Sequence, residues 1–181
     1  MKKLAILLVL CLAMLTMTSV PVLAAGPTGQ AGKSNIGHLY LYEKNPADWS
    51  IVEGGAWGKM KYNLSCFTFD FVFNGHGLQP NTDYSLIYYA DPWPGNNPGA
   101  LIASGTSNSG GNIHLAGSED LGMSLPDAQD ANYPDGAKIW LVLSSDYDAD
   151  NNLMIAWNPT EYLFEYDLVT YDYCGSGDGV W

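Results

Sequence analysis

The sequence predicts an all-β fold, an antiparallel two-sheet sandwich of about eight or nine strands. Two observations carry that reading. Apolar and aromatic residues recur with a period of two in one short run after another, and clusters of Gly, Pro, Asn and Asp separate the runs. A third observation supports them: past residue 24 no window sustains a helical period, and single helical turns are expected only at 47–51 and 127–132.

The elements follow in order. Lys2 and Lys3 precede an apolar run over 4–17, and Val22-Leu23-Ala24 offers small residues at the positions a signal peptidase reads. Residues 1–24 therefore read as a secretory signal, and the protein is expected to be secreted and extracellular. The run is roughly 14 residues against the ~20 a bilayer span needs, so no membrane span is expected once the signal is cleaved. Residues 25–36 form a flexible lead, 37–173 the β-domain and 174–181 a Gly-rich tail.

Within the domain the strands are expected at 38–42, 57–64, 67–73, 84–89, 100–106, 112–116, 138–143, 153–157 and 162–171. The clearest is the third, where Phe67, Phe69, Phe71 and Phe73 alternate with Thr68, Asp70 and Val72. Four phenyl rings on one face call for a packed core. Trp57, Trp140 and Trp157 fall in expected strands and are assigned to the core. Asn74-Gly75, the Pro- and Gly-rich stretch 94–99, Gly110-Gly111 and Pro134-Asp135-Gly136 supply turns.

Charge excludes more than it selects. Removing the signal leaves five lysines, no arginine and nineteen carboxylates, a net charge of −14 against −12 for the full chain. Such a chain repels phosphate backbones, so no nucleic-acid partner is expected. The expected partner is an extracellular protein or a glycan, with the oligomeric state open. Cys66 and Cys174 remain after export, where a disulfide is chemically permitted. They read either as a bridge pinning the tail to the domain or as two unrelated thiols. Asn63-Leu64-Ser65 is a glycosylation sequon, meaningful where the host has the machinery.

One local motif is specific. Gly77-Leu78-Gln79-Pro80-Asn81-Thr82-Asp83-Tyr84 resembles the tyrosine corner of fibronectin type III and related immunoglobulin-like domains. The resemblance implies an immunoglobulin-like sandwich in which Leu78 enters the core, Pro80 sets the turn and the Tyr84 hydroxyl bonds backbone a few residues upstream. In those domains the corner precedes the last strands, whereas here about five strands follow it. The mature chain also resembles a set of small exported microbial proteins in the blocks Gly54-Gly55-Ala56-Trp57-Gly58-Lys59-Met60-Lys61-Tyr62, Asp91-Pro92-Trp93-Pro94-Gly95, Tyr133-Pro134-Asp135-Gly136-Ala137-Lys138-Ile139-Trp140 and Trp157-Asn158-Pro159-Thr160-Glu161-Tyr162. That likeness implies an independent domain and no chemistry.

Three constellations bear on function. Asp146, Asp148 and Asp150 alternate as in calcium loops, with Asn151 at the sixth place, but Trp157 occupies the twelfth, where a bidentate Glu belongs. The loop reads as a calcium site or as a solvated acidic hairpin; beyond that calcium no cofactor is expected. Trp93, held in a Pro- and Gly-rich loop, reads as a sugar-stacking platform assisted by Tyr133, or as a plug over the sandwich end. His38, His76 and His114 stand singly, without metal-ligand spacing. No G-x-S-x-G elbow is present, and in so acidic a chain no carboxylate pair stands out as a glycosidase pair.

The expected function is accordingly non-catalytic: an extracellular binding or cell-surface domain. The alternative is a carbohydrate-binding module steadied by calcium, and a third reading is a small secreted hydrolase of unrecognised type.

Overall fold

The structure, a computed structural model, describes residues 34–91 and 99–175. The segment 1–24 read as a signal, most of the lead, Trp93 and the end of the tail lie outside the described residues.

The chain folds as an antiparallel β-sandwich. Seven long strands form where the period of two is strongest: β1 (Ile36–Tyr42), β2 (Trp57–Asn63), β4 (Phe69–His76), β5 (Asp83–Tyr89), β6 (Ala100–Thr106), β7 (Ile113–Glu119) and β8 (Lys138–Leu143). Five two-residue strands complete the described set: β3 (Ser65–Cys66), β9 (Tyr147–Asp148), β10 (Leu153–Met154), β11 (Phe164–Glu165) and β12 (Asp172–Tyr173). The count is twelve rather than the expected eight or nine. The excess arises because segments 153–157 and 162–171 do not run as single strands. Between 163 and 171 the chain pairs in turn with Leu141, with β1, with Ala137 and with Leu125. The helical turns expected at 47–51 and 127–132 are non-helical turns; 3₁₀ turns occur instead at Ser144–Asp146 and Pro159–Glu161.

One sheet has the order β11-β1-β2-β4-β7 and the other β6-β5-β8. Strand parity puts Leu39, Leu41, Met60, Tyr62, Phe69, Phe71 and Phe73 inward, against Tyr84, Leu86, Tyr88, Ile139 and Leu141 of the facing sheet. Each buried Phe contributes about 1.5–3 kcal/mol of apolar burial. Phe67 departs from expectation: it is 63% exposed. The alternation breaks at a bend over residues 67–68, where the Asn63 side chain bonds both Thr68 O (2.8 Å) and Asp70 N (2.9 Å) and starts β4 two residues late.

The corner before β5 is closed by the Tyr84 hydroxyl, which accepts the Gln79 N–H at 3.2 Å, while Leu78 is buried and Pro80 exposed. Leu78 N–H donates to Gly111 O at 2.9 Å. Gly111 has φ +71°, and a Cβ there would stand 2.3 Å from Leu78 O, so only glycine fits beneath the corner.

The three-stranded sheet is covered on both faces. Away from the main core, Ile87, Trp140 and Val142 pack against Tyr147, Met154, Tyr162 and Phe164, residues from the chain that returns over the sheet after β8. Leu163 pairs with Leu141 of β8, while Phe164 and Glu165 pair with Tyr42 and Leu41 of β1. Three residues thus cross from one sheet to the other.

Candidate functional site

That crossing forms the floor of a cleft of about 590 Å³, at the end of the sandwich where β1 and β5 finish and β8 begins. The volume falls inside the roughly 300–1,000 Å³ of small-molecule sites. Its walls are aromatic. Phe164, fully buried, is met edge-on by Trp49 (5.1 Å, 84°) and by Trp140 (5.1 Å, 79°). Tyr89 stacks on Trp140 at 3.7 Å and 13°. Trp49 and Trp157 stand 6.4 Å apart with planes inclined at 48°. Trp140 is 6% exposed, but Trp49 is 50% and Trp157 42% exposed, so two indole faces are open to a ligand.

Trp49 is held there against its backbone preference. Its φ is +59°, a left-handed conformation that costs an L-residue with a Cβ about 1–2 kcal/mol. The surrounding turn imposes it: Trp49 N–H donates to Asn45 O (2.7 Å), Asn45 N–H to Ser50 O (2.8 Å), and Asn45 Oδ1 accepts Ala47 N–H (3.1 Å). Ser50 closes the turn with its own N–H (3.1 Å) and hydroxyl (2.7 Å) on Asp48 Oδ1. Strain sustained this way is characteristic of functional loops.

Four charged residues line the cleft and compensate one another. Lys138 forms an ion pair with Asp91, whose Oδ2 also accepts Asn132 Nδ2 at 2.8 Å. Lys44 Nζ donates to the Glu165 main-chain carbonyl at 2.7 Å, beside the carboxylate. Burial pushes the Glu165 carboxyl up from its ordinary value, against the opposing pull of its own backbone N–H, Lys44, the Trp140 indole and Lys138. Burial, with a contribution from Asp91, pushes the Tyr89 phenol up to about 12, so its hydroxyl remains a donor. Among the described residues, Trp140 Nε1 and Glu165 Oε2 are the buried side-chain polar atoms without a hydrogen bond of good geometry, although the indole N–H is close enough to the carboxylate to hold its pKa down.

The residues singled out from sequence are distributed as follows. Trp93, two residues after Asp91, lies outside the described residues. Tyr133 is exposed in the loop that supplies Asn132, but does not line the cleft. Asp146 is buried, and its carboxylate accepts Ser145 Oγ (3.0 Å), Asn158 Nδ2 (2.8 Å) and the Tyr162 hydroxyl (2.5 Å). Asp148 caps its own turn, taking the N–H groups of Asp150 (3.0 Å) and Asn151 (3.2 Å). Asp150 is exposed. Among the described residues, no three His, Cys, Asp or Glu side chains are grouped to hold a metal ion.

Cys66 and Cys174 are neighbours: β3 and β12 pair in parallel, and Cys174 N–H donates to Cys66 O at 3.0 Å. Both are free thiols in the structure. Asn63 has its amide nitrogen and oxygen engaged across the 67–68 bend, as described above. The three histidines lie on the outer face of the five-stranded sheet. His38 is opposite Lys61, His76 is against the Trp57 ring at 4.8 Å, and His114 Nδ1 is 2.8 Å from Asn74 Oδ1.

Sequence reasoning missed Trp49, Tyr89, Phe164 and Glu165, and misplaced Trp157 and Trp57. Trp57 is exposed because Gly58, Met60 and Tyr62 take the inward parity of β2. A usable signal for two of the cleft indoles was present. Trp49 follows Asn45-Pro46 and Trp157 precedes Asn158-Pro159, and Asn-Pro turns lift an aromatic out of a strand. No protein-family model, curated protein or solved structure matches the chain.

Proposed function

We propose that the protein is an exported, non-catalytic binding domain and that the aromatic cleft is its ligand site. The observation that carries this is the pair of exposed indoles, Trp49 and Trp157, at a cleft of about 590 Å³. Open aromatic surface has a cost in the free protein, and a bound ligand relieves it. Binding rather than reaction is supported by the charged groups: Lys138 is paired with Asp91, and Lys44 is tied to main chain. Export rests on the charged, apolar and small-residue layout of residues 1–24.

The test uses the indole N–H resonances of ¹⁵N-labelled protein, assigned by single Trp→Phe variants and screened against a small-fragment library. Fragments are expected to move Trp49, Trp140 and Trp157 and to leave Trp57 in place. A library that moves none of the three, or moves Trp57 alone, overturns the reading.

A further inference from the structure

The cleft also restricts the chemistry of its ligand, and this step rests on reading it as a binding site. We propose that it takes a neutral saccharide, one ring lying against Trp157 and Trp49, with its hydroxyls answered by Asp91, Lys138 and Tyr89.

The argument runs by charge, shape and polarity. A cationic ligand is disfavoured because Lys44 and Lys138 both line the cleft. An anionic ligand is disfavoured because Asp91 and Glu165 line it too, and each lysine already has an oxygen partner. With opposite charges balanced, a formal charge on the ligand would be desolvated without a free counter-charge to meet it.

A purely apolar ligand fits no better. It would cover the ion pair at Asp91 and the Tyr89 hydroxyl without offering them hydrogen bonds. What remains is a neutral molecule with apolar faces and hydroxylated edges. A pyranose has that character: its axial C–H groups lie on an indole face while its equatorial hydroxyls point sideways. A hydroxyl both donates and accepts, so such groups answer Lys138, Asp91 and the Tyr89 hydroxyl alike.

The geometry of the walls agrees. Trp49 and Trp157 are inclined at 48° with centroids 6.4 Å apart. With the two rings this close, a sugar ring lies across the exposed surface of both rather than between them. The strained backbone of Trp49 is the device that turns its indole to this position.

The experiment is a titration of the ¹⁵N-labelled chain with neutral oligosaccharides of glucose, galactose, mannose and xylose, after a glycan array has selected the best series. Glucuronic-acid and glucosamine oligomers and 1-naphthol serve as charged and apolar comparisons. The expected result is movement of the Trp49 and Trp157 indole resonances by a neutral series. Trp157→Ala and Trp49→Ala should each weaken binding about tenfold or more. Trp157→Phe should retain part of the affinity, Trp57→Ala all of it, and no reducing ends should be released.

If only the charged oligomers or only 1-naphthol move these resonances, the saccharide assignment is wrong while the cleft stands as a site. If no probe moves them, the binding site itself is wrong. A saccharide whose binding is lost in Trp57→Ala but kept in Trp157→Ala also overturns the assignment, since it would occupy the outer sheet face. Thermal melts of each variant, with Trp157→Phe as the conservative replacement, separate lost binding from lost fold.

Discussion

The Tyr162 hydroxyl donates to Oδ2 of the buried Asp146 across 2.5 Å, joining the 3₁₀ turn after β8 to the one that precedes β11. Burial alone would raise the Asp146 carboxyl, but hydrogen bonds from Asn158, Tyr162 and Ser145 outweigh it and hold the group below its ordinary value of 3.8. Stability from this carboxylate is therefore present above that ordinary value and is lost as the pH falls through the lower, folded-state value. Tyr162→Phe should cost about 1.5–3 kcal/mol at neutral pH, the range for a hydrogen bond to a charged group. It should also flatten the loss of stability in acid. Urea denaturation of both proteins across the acid range measures this; parallel pH profiles would contradict it.

Glu165 shifts the other way. Its folded-state carboxyl is raised by burial above the ordinary 4.5, so folding favours the protonated form, and that contribution is present below the ordinary value and lost as the pH rises through the folded one. Glu165→Gln should stabilise the protein at neutral pH, with the gain vanishing in acid where the wild-type group is itself neutral. Denaturation midpoints of the two proteins should therefore diverge with rising pH.

At Trp49, the backbone and the side chain make opposite demands. Trp49→Gly relieves a φ of +59° while removing the indole from Phe164 and Trp157. The relief is worth about 1 kcal/mol and offsets much of the lost packing of a half-exposed ring. The expected outcome is a folding stability within about 1 kcal/mol of wild type together with a loss of fragment binding, a combination ordinary surface damage would not produce.

The Asn63 amide bridges Thr68 O and Asp70 N across the bend that ends the phenylalanine alternation. Asn63→Ala leaves both backbone groups without that partner and should destabilise by about 1–2 kcal/mol at an unchanged denaturant slope. A glycan on Asn63 Nδ2 would compete with the bond to Thr68, so modification of the folded chain should be slow compared with modification during synthesis.

The β3–β12 pairing sets Cys66 against Tyr173 and brings Cys174, the next residue, within a backbone hydrogen bond of Cys66. In an oxidising buffer both thiols should be lost to titration together, with no covalent dimer. Closing a loop of over 100 residues should then stabilise by about 4–5 kcal/mol in the chain-entropy picture. Reduction should lower the melting temperature, and Cys174→Ser should melt like the reduced protein.

What was legible in the sequence was whatever depends on local period. The seven long strands, the inward Phe69, Phe71 and Phe73, and the turn chemistry at Gly110-Gly111 all follow from residues a few positions apart. The cleft was illegible because its members come from five separate stretches of chain. Trp49 comes from a turn, Tyr89 from the end of β5, Trp140 from β8, and Trp157 and the pair Phe164–Glu165 from the returning chain. No window of sequence contains that convergence. Asp146 shows the same limit: alternating carboxylates suit a cation-binding curl, and the donors twelve and sixteen residues later that meet on its Oδ2 lie beyond that window of sequence.

The three-residue crossing at 163–165 carries a mechanical consequence. Leu163 is fastened to β8 and Phe164 with Glu165 to β1, so the floor of the cleft is also a rivet through both layers. Prying the two sheets apart must dismantle the floor, and the site cannot outlast the sandwich as a folded fragment. A molecule lying on Trp49 at one side and bonded to Lys138 of β8 at the other would act as a second rivet, raising the force at which the layers separate.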